Sequence, residues 1–163
     1  MIVPEGYSLN ISGNTTLRFS KKAGLVSRGP LRFNGAESSP ILLEGYNDET
    51  GKLWQGIAVL DSNEPSQWSF VNIRNTTGMR YATWELTGGT TFYKSEVQLE
   101  HCSFNGHQGE DALNIVNSKF SLKNIKIENT TSDGLDIDFS KGKIEGGLFK
   151  NIGRLGGGDG VDV

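Results

Sequence analysis

The chain of 163 residues is short of several things that other folds need. It has a single cysteine, Cys102, so an internal disulfide is excluded. Cys102 falls at an apolar position of the pattern described below and reads as core filler. There are only 4 prolines, and no apolar run is long enough to span a bilayer. The opening Met1-Ile-Val-Pro-Glu-Gly6 lacks the basic stretch and apolar core of a secretory signal. No apolar stripe of helical period and useful length is present. Basic charge is scarce as well, with a net charge of −3. That argues against a nucleic acid or an anionic membrane as partner, because both need a basic face. An acidic polysaccharide could be held only through a bridging cation.

What is abundant is glycine, 22 residues, set among short apolar alternations. Tyr7, Leu9 and Ile11, then Leu17 and Phe19, then Leu25, then Leu31 and Phe33 alternate with polar residues, and turn residues punctuate them. This is strand patterning with frequent turns. Pro40–Gly45, Trp54–Val59 and Trp68–Ile73 continue it, and Tyr46–Leu53 reads as a polar loop. Met79–Gly89 fits nothing around it and reads as an insertion carrying Tyr81 and Trp84.

Beyond the insertion the chain repeats. Asp111-Ala-Leu-Asn-Ile115, Asp133-Gly-Leu-Asp-Ile137 and Asp159-Gly-Val-Asp-Val163 superpose, with steps of 22 and 26 residues. A recurrence of this length marks a repeat architecture. Anchoring on Ser95, Ser118 and Ser140 aligns Phe92 with Ile115 and Ile137, Leu99 with Leu122 and Ile144, and Phe104 with Ile127 and Phe149. Three apolar columns per repeat imply three short strands per coil. A polar column, Asn75, Gly106, Asn129 and Asn151, follows the last strand. Asparagine suits such a turn because it tolerates left-handed backbone and can bond its neighbours above and below. Gly106 interrupts the column, with Asn105 beside it.

These features resemble the right-handed parallel β-helix of the pectate-lyase type. Trp54-Gln-Gly-Ile57, Thr87-Gly-Gly-Thr-Thr-Phe-Tyr93, Glu110–Ile115, Asp138-Phe-Ser140 and Gly157–Asp162 are similar to β-helix regions of predicted exported bacterial proteins. The resemblance implies an all-β, right-handed parallel β-helix of three-strand coils over residues 1–163, best matched from Trp54 onward. It also implies a place outside the cell or at its surface, and brings no agreed activity. The expected core is Leu113, Ile115, Leu135, Ile137, Phe139, Val161 and Val163 with their columns. The chain stops inside the third repeat line, so further coils, or an end-to-end contact with another chain, are expected beyond Val163.

Strand alternation points Thr91, Asn114, Asp136 and Asp162 outward in one column and Tyr93, Val116 and Asp138 in the next. Two carboxylates one coil apart repel by about 3 kcal/mol at an effective dielectric near 20. Such a strip invites a hard cation, and Asn114, Asp136, Asp138 and Asp162 offer the oxygen ligands that Ca²⁺ takes. Asp111, Asp133 and Asp159 read instead as turn chemistry. Tyr93, Tyr81 and Trp84 are the candidates to stack on a sugar ring, whereas Trp54 and Trp68 read as core. Lyases of the resembled class pair bound Ca²⁺ with a Lys or Arg base; Lys94 and Arg154 are the cations near enough in sequence. The Gly-His-Gly element of the polygalacturonases is absent, and His107, in a turn, is the nearest thing to it; His101 reads as a surface residue. Three functions follow: a non-catalytic extracellular domain binding polysaccharide or a cell-surface component, with or without Ca²⁺; a structural rod; and a polysaccharide lyase.

Overall fold

The computed structural model describes residues 1–46, 52–81 and 83–163. Part of the loop expected at Tyr46–Leu53, residues 47–51, therefore lies outside the described residues. The described residues form an all-β chain with no helix, and so none that is long and apolar enough to cross a membrane. Its short strands follow the period-2 alternation of the sequence.

The chain passes repeatedly through three parallel ladders. The first pass is β1 (Ile2–Val3), β2 (Leu9–Ser12) and β3 (Thr16–Phe19). The second is β4 (Gly24–Ser27), β5 (Leu31–Asn34) and β6 (Ile41–Gly45), and the third β7 (Gly56–Leu60), β8 (Ser66–Ser69) and β9 (Val71–Arg74). An antiparallel hairpin, β10 (Met79–Tyr81) and β11 (Trp84–Leu86), then leaves the ladders, which is the insertion expected from sequence. The fourth pass is β12 (Thr90–Tyr93), β13 (Val97–Glu100) and β14 (Ser103–Asn105). In the fifth and sixth, β15 (Asp111–Val116) and β17 (Asp133–Asp138) are followed by the long strands β16 (Lys119–Glu128) and β18 (Lys141–Lys150), and β19 (Val161–Asp162) opens a seventh. The first strands of all seven passes pair in register as one sheet. The second and third strands build two further ladders, joined where β16 and β18 each run through both.

In the third to sixth passes, each bend between ladders carries a residue with left-handed backbone, and these bends stack. Asp61, Lys94, Asn117 and Phe139 have φ of 51°, 47°, 48° and 48° at the first corner. Phe70, His101 and Asn124 hold the second at 49°, 52° and 52°, with Gly146 below them at 72°. Asn75, Gly106, Asn129 and Asn151 hold the third at 59°, 79°, 59° and 55°, the column anticipated from sequence. Left-handed backbone costs an ordinary L residue roughly 1–2 kcal/mol, so these corners need support. At the first corner a serine ladder supplies it: the Ser62, Ser95 and Ser118 N–H groups donate to the Oγ of Ser95, Ser118 and Ser140, at 3.0, 2.9 and 2.9 Å. At the third, Asn151 Nδ2 donates to Asn129 Oδ1 (2.9 Å) and Asn129 Nδ2 to Asn105 Oδ1 (3.2 Å). Asn105 thus takes over where Gly106 interrupts, because a side chain at Gly106 would begin 2.5 Å from Asn75 Oδ1.

The inward columns close into one core running along the ladders. Trp54 and Trp68 are buried in it, as expected, Trp54 stacked on Phe19 at 4.2 Å and Trp68 on Phe33 at 4.9 Å. Cys102 is buried and its thiol is pushed up to about 12 by that burial, which makes it inert filler. Leu113, Ile115 and Leu135 are buried, and Ile137 packs partly against them. Three expected core residues are not core. Phe139 is 92% exposed, because it is the left-handed corner residue and alternation stops there. Val161 is exposed and Val163 is 90% exposed, since each has a neighbouring coil on one side alone.

The asparagine corner gives a direct test. Asn129→Ala removes two side-chain hydrogen bonds and forces a Cβ residue without local support into left-handed backbone. It is expected to cost about 2–3 kcal/mol in urea unfolding. Asn129→Gly, which keeps the backbone free, should cost about half as much.

Candidate functional site

The outward face of the first ladder, on passes four to seven, carries the polar strip. Inward Phe92, Leu113, Ile115 and Leu135 fix which side chains face out. Register then aligns Thr91 with Asn114, Asn114 with Asp136 and Asp136 with Asp162, and beside them Tyr93 with Val116 and Val116 with Asp138. The structure therefore brings Asn114, Asp136 and Asp162 into one column, with Asp138 in the next. Asn114 Nδ2 donates to Asp136 Oδ2 at 3.3 Å and to Asp111 Oδ2 at 3.1 Å, so one amide links two carboxylates. Burial, and then the charges of Asp111, Asp138 and Asp162, raise the Asp136 carboxyl to about 6. Among the described residues, no group of three or more Asp, Glu, His or Cys side chains is gathered closely enough to hold a metal ion.

Asp111 departs from its column. Asp133 behaves as turn chemistry, its Oδ1 accepting the Asp159 N–H at 2.6 Å. Asp111 instead is 3% exposed and accepts from Asn114 and, at 3.1 Å, from Thr87 Oγ1. Burial raises its carboxyl above the ordinary range in spite of those two bonds. Reading the Asp column as uniform missed this; the signal was the change from Asp-Gly at Asp133 and Asp159 to Asp-Ala at Asp111.

The second departure is a strap. Thr91 and Asn114 point outward, yet are only 2% and 9% exposed. The chain leaving the hairpin, Thr87–Gly89, lies on them. A methyl group at Gly88 would sit 2.5 Å from Thr91 Oγ1 and 2.9 Å from Asn114 Cβ, and one at Gly89 2.5 Å from His107 Nδ1. His107, read from sequence as a turn residue, is buried under this strap with Nδ1 2.9 Å from Thr76 Oγ1. Burial lowers its pKa to about 4, against the backbone of Thr76 and Thr87, so the ring is neutral at pH 7. Among the described residues, Thr90 Oγ1, Thr91 Oγ1, His107 Nε2, Asn114 Oδ1 and the distant Trp68 Nε1 are buried without a hydrogen bond of good geometry, although the Thr87 backbone lies near enough to His107 to favour its protonation. Three of these five, on Thr91, Asn114 and His107, belong to residues under the strap, whereas Thr90 shares the inward side of its strand with Phe92. Each such atom costs roughly 1–3 kcal/mol, so the covered arrangement is poorly satisfied.

The other expected site residues scatter. Tyr93 is 36% exposed at the margin of the strip. Lys94 turns at the first corner and holds its ammonium 5.2 Å from the Tyr93 ring centroid. Arg154 lies in an exposed loop tied by its N–H to Thr130 O at 3.1 Å. Trp84 is half-buried on β11, off the ladder face, and Tyr81 is on β10, with its side chain outside the described residues. His101 is exposed at the second corner, stacked on Phe70 at 4.6 Å.

The raised Asp136 carboxyl makes a signed prediction. A carboxyl that titrates near 6 when folded and near 3.8 when unfolded binds more protons in the folded state between those values. Its contribution to stability therefore falls as pH rises from about 4 to about 6. Asp136→Asn should raise the melting temperature at pH 7 and lose that advantage at pH 4, read as the difference between variant and parent so that His107 cancels. An equal shift at both pH values would contradict the assignment.

Compared with protein-family models, with curated proteins and with solved structures, the chain matches none of them.

Proposed function

We propose that this chain is a right-handed parallel β-helix of the pectate-lyase-like architecture that works outside the cell as a non-catalytic saccharide-binding domain. The observation that carries the reading is the oxygen-rich strip Asn114–Asp136–Asp162, with Asp138 and the exposed Tyr93 beside it on a parallel sheet. Carboxylates and amides accept hydroxyl hydrogens, and an exposed tyrosine offers a face to the CH side of a sugar ring. The surplus charge on the strip supports a second component. For an acidic sugar, Ca²⁺ joins Asp136 and Asp162 to the sugar's own carboxylate, which completes an oxygen shell that the protein alone does not gather.

A structural rod is the second reading, favoured by first strands that stack as one parallel sheet through seven passes. Sedimentation at rising concentration tests it, and a monomer throughout counts against it.

Calorimetry with oligogalacturonate, with and without Ca²⁺, tests the first reading. Binding should need both, weaken at least tenfold in Asp136→Asn and weaken several-fold in Tyr93→Ala. Absence of binding to acidic and neutral oligosaccharides alike would sink it. Unsaturated, ultraviolet-absorbing product, lost in Lys94→Ala or Arg154→Ala, would make the protein a lyase instead.

A further inference from the structure

The strap Thr87–Gly89 covers only part of the strip. Thr91, Asn114 and Asp111 lie beneath it, while Asp138 and Asp162 lie outside it and Asp136 is half-exposed at its margin. Outward-facing polar groups on a sheet are normally hydrated. Here they are covered, and the cover supplies too few partners: Thr91 Oγ1 and Asn114 Oδ1 have none among the described residues. A lasting structural contact would be expected to satisfy them.

The attachment of the strap is also uneven. Upstream, Met79 is buried and anchors the first leg of the hairpin. Downstream, Gly89 belongs to the ladder: its N–H donates to Asp111 O at 2.8 Å, and its carbonyl accepts from Ile57 N at 3.0 Å. Between these anchors, among the strands of the described residues, β11 pairs with β10 and with no strand of the ladders. Gly78, with φ of 88°, and Gly88 flank the hairpin at its two feet. One side-chain hydrogen bond, Thr87 Oγ1 to Asp111 Oδ2, is recorded between strap and strip. Gly88 has no side chain to hold it down, and it could not have one with the strap closed.

We propose that Thr87–Gly88 is a displaceable cover, latched by Thr87 on Asp111 and pivoting at Gly89, which stays in the ladder, and that lifting it uncovers Thr91, Asn114 and Asp111 as the inner half of a saccharide subsite whose outer half is Asp136 and Asp138. The ligand half of this proposal rests on the saccharide reading above; the cover does not. With the strap lifted, the Thr91 hydroxyl and the Asn114 carbonyl gain the partners they lack, from sugar hydroxyls. A saccharide therefore binds the open form better than the closed form, and its apparent affinity is lowered by the fraction of time the strap is closed.

Two variants loosen the cover from opposite sides. Thr87→Val removes the latch at nearly constant shape. Gly88→Ala places a methyl group against Thr91 and Asn114 and pushes the strap away, leaving both of those residues intact. The first readout needs no ligand: carbodiimide labelling of carboxyl groups, read by peptide mass spectrometry, with exposed Glu110 as the internal standard for buried Asp111. Both variants should label Asp111 several-fold faster than the parent while keeping its circular dichroism. Asp111 protected equally in the parent and in either folded variant overturns the cover. The second readout is oligogalacturonate affinity with Ca²⁺, which should tighten several-fold in both. Faster labelling with unchanged affinity overturns the subsite. Faster labelling with no saccharide bound by any of the three proteins upholds the cover, and the saccharide reading alone falls.

Discussion

Three times in each full pass the chain must turn without losing register, and that constraint governs everything else. In the third to sixth passes the turn is made by a single residue in left-handed backbone, repeated at the same place from one pass to the next. Register follows, because a serine or asparagine one coil away can reach the turn only if the strands align residue for residue. Once register is fixed, the apolar columns stack inward and the polar ones outward, with no choice left for individual strands. The acidic strip is a by-product of that alignment. Repeating a motif at constant register stacks its carboxylates whether or not their charges agree.

The strip answers this stress unequally along its length. At Asn114 an amide stands where the next passes have Asp136 and Asp162, and it donates to Asp111 of its own strand and to Asp136 of the next. Asp111 has left solvent altogether beneath the strap. Farther along, Asp162 and Asp138 remain in water, where screening reduces the cost. The strip thus grades from buried and hydrogen-bonded to exposed and charged, and Asp136 sits at the boundary between the two.

Much of the fold was legible in the sequence, and for a physical reason. A repeat writes each corner several times, so Asn75, Asn129 and Asn151, or Ser95, Ser118 and Ser140, reveal the turn that one copy would hide. The parallel pairings of β12, β15 and β17 follow the alignment of Phe92, Ile115 and Ile137 residue for residue. Alternation misled at Phe139, where a corner residue was read as a strand residue. The site was less legible, because its decisive element does not repeat. The strap occurs once, and neither its glycines nor the burial of His107 could be read from a column. Outward on a strand does not mean exposed when a neighbouring segment folds across it, as Thr91 and Asn114 show.

The stacked ladders also fix how far apart in the chain any two partners lie. Leu9 pairs with Leu31, 22 residues on, and Arg32 with Gln67, 35 residues on. Partners within the ladders are one circuit apart, so the loop closed to form a new contact depends on circuit length and hardly at all on chain length. Assembly can begin wherever one circuit finds the next and then spread to either side. The hairpin does not break this spacing: Ile57 and Thr90 lie 33 residues apart, close to the 32 between Leu25 and Ile57.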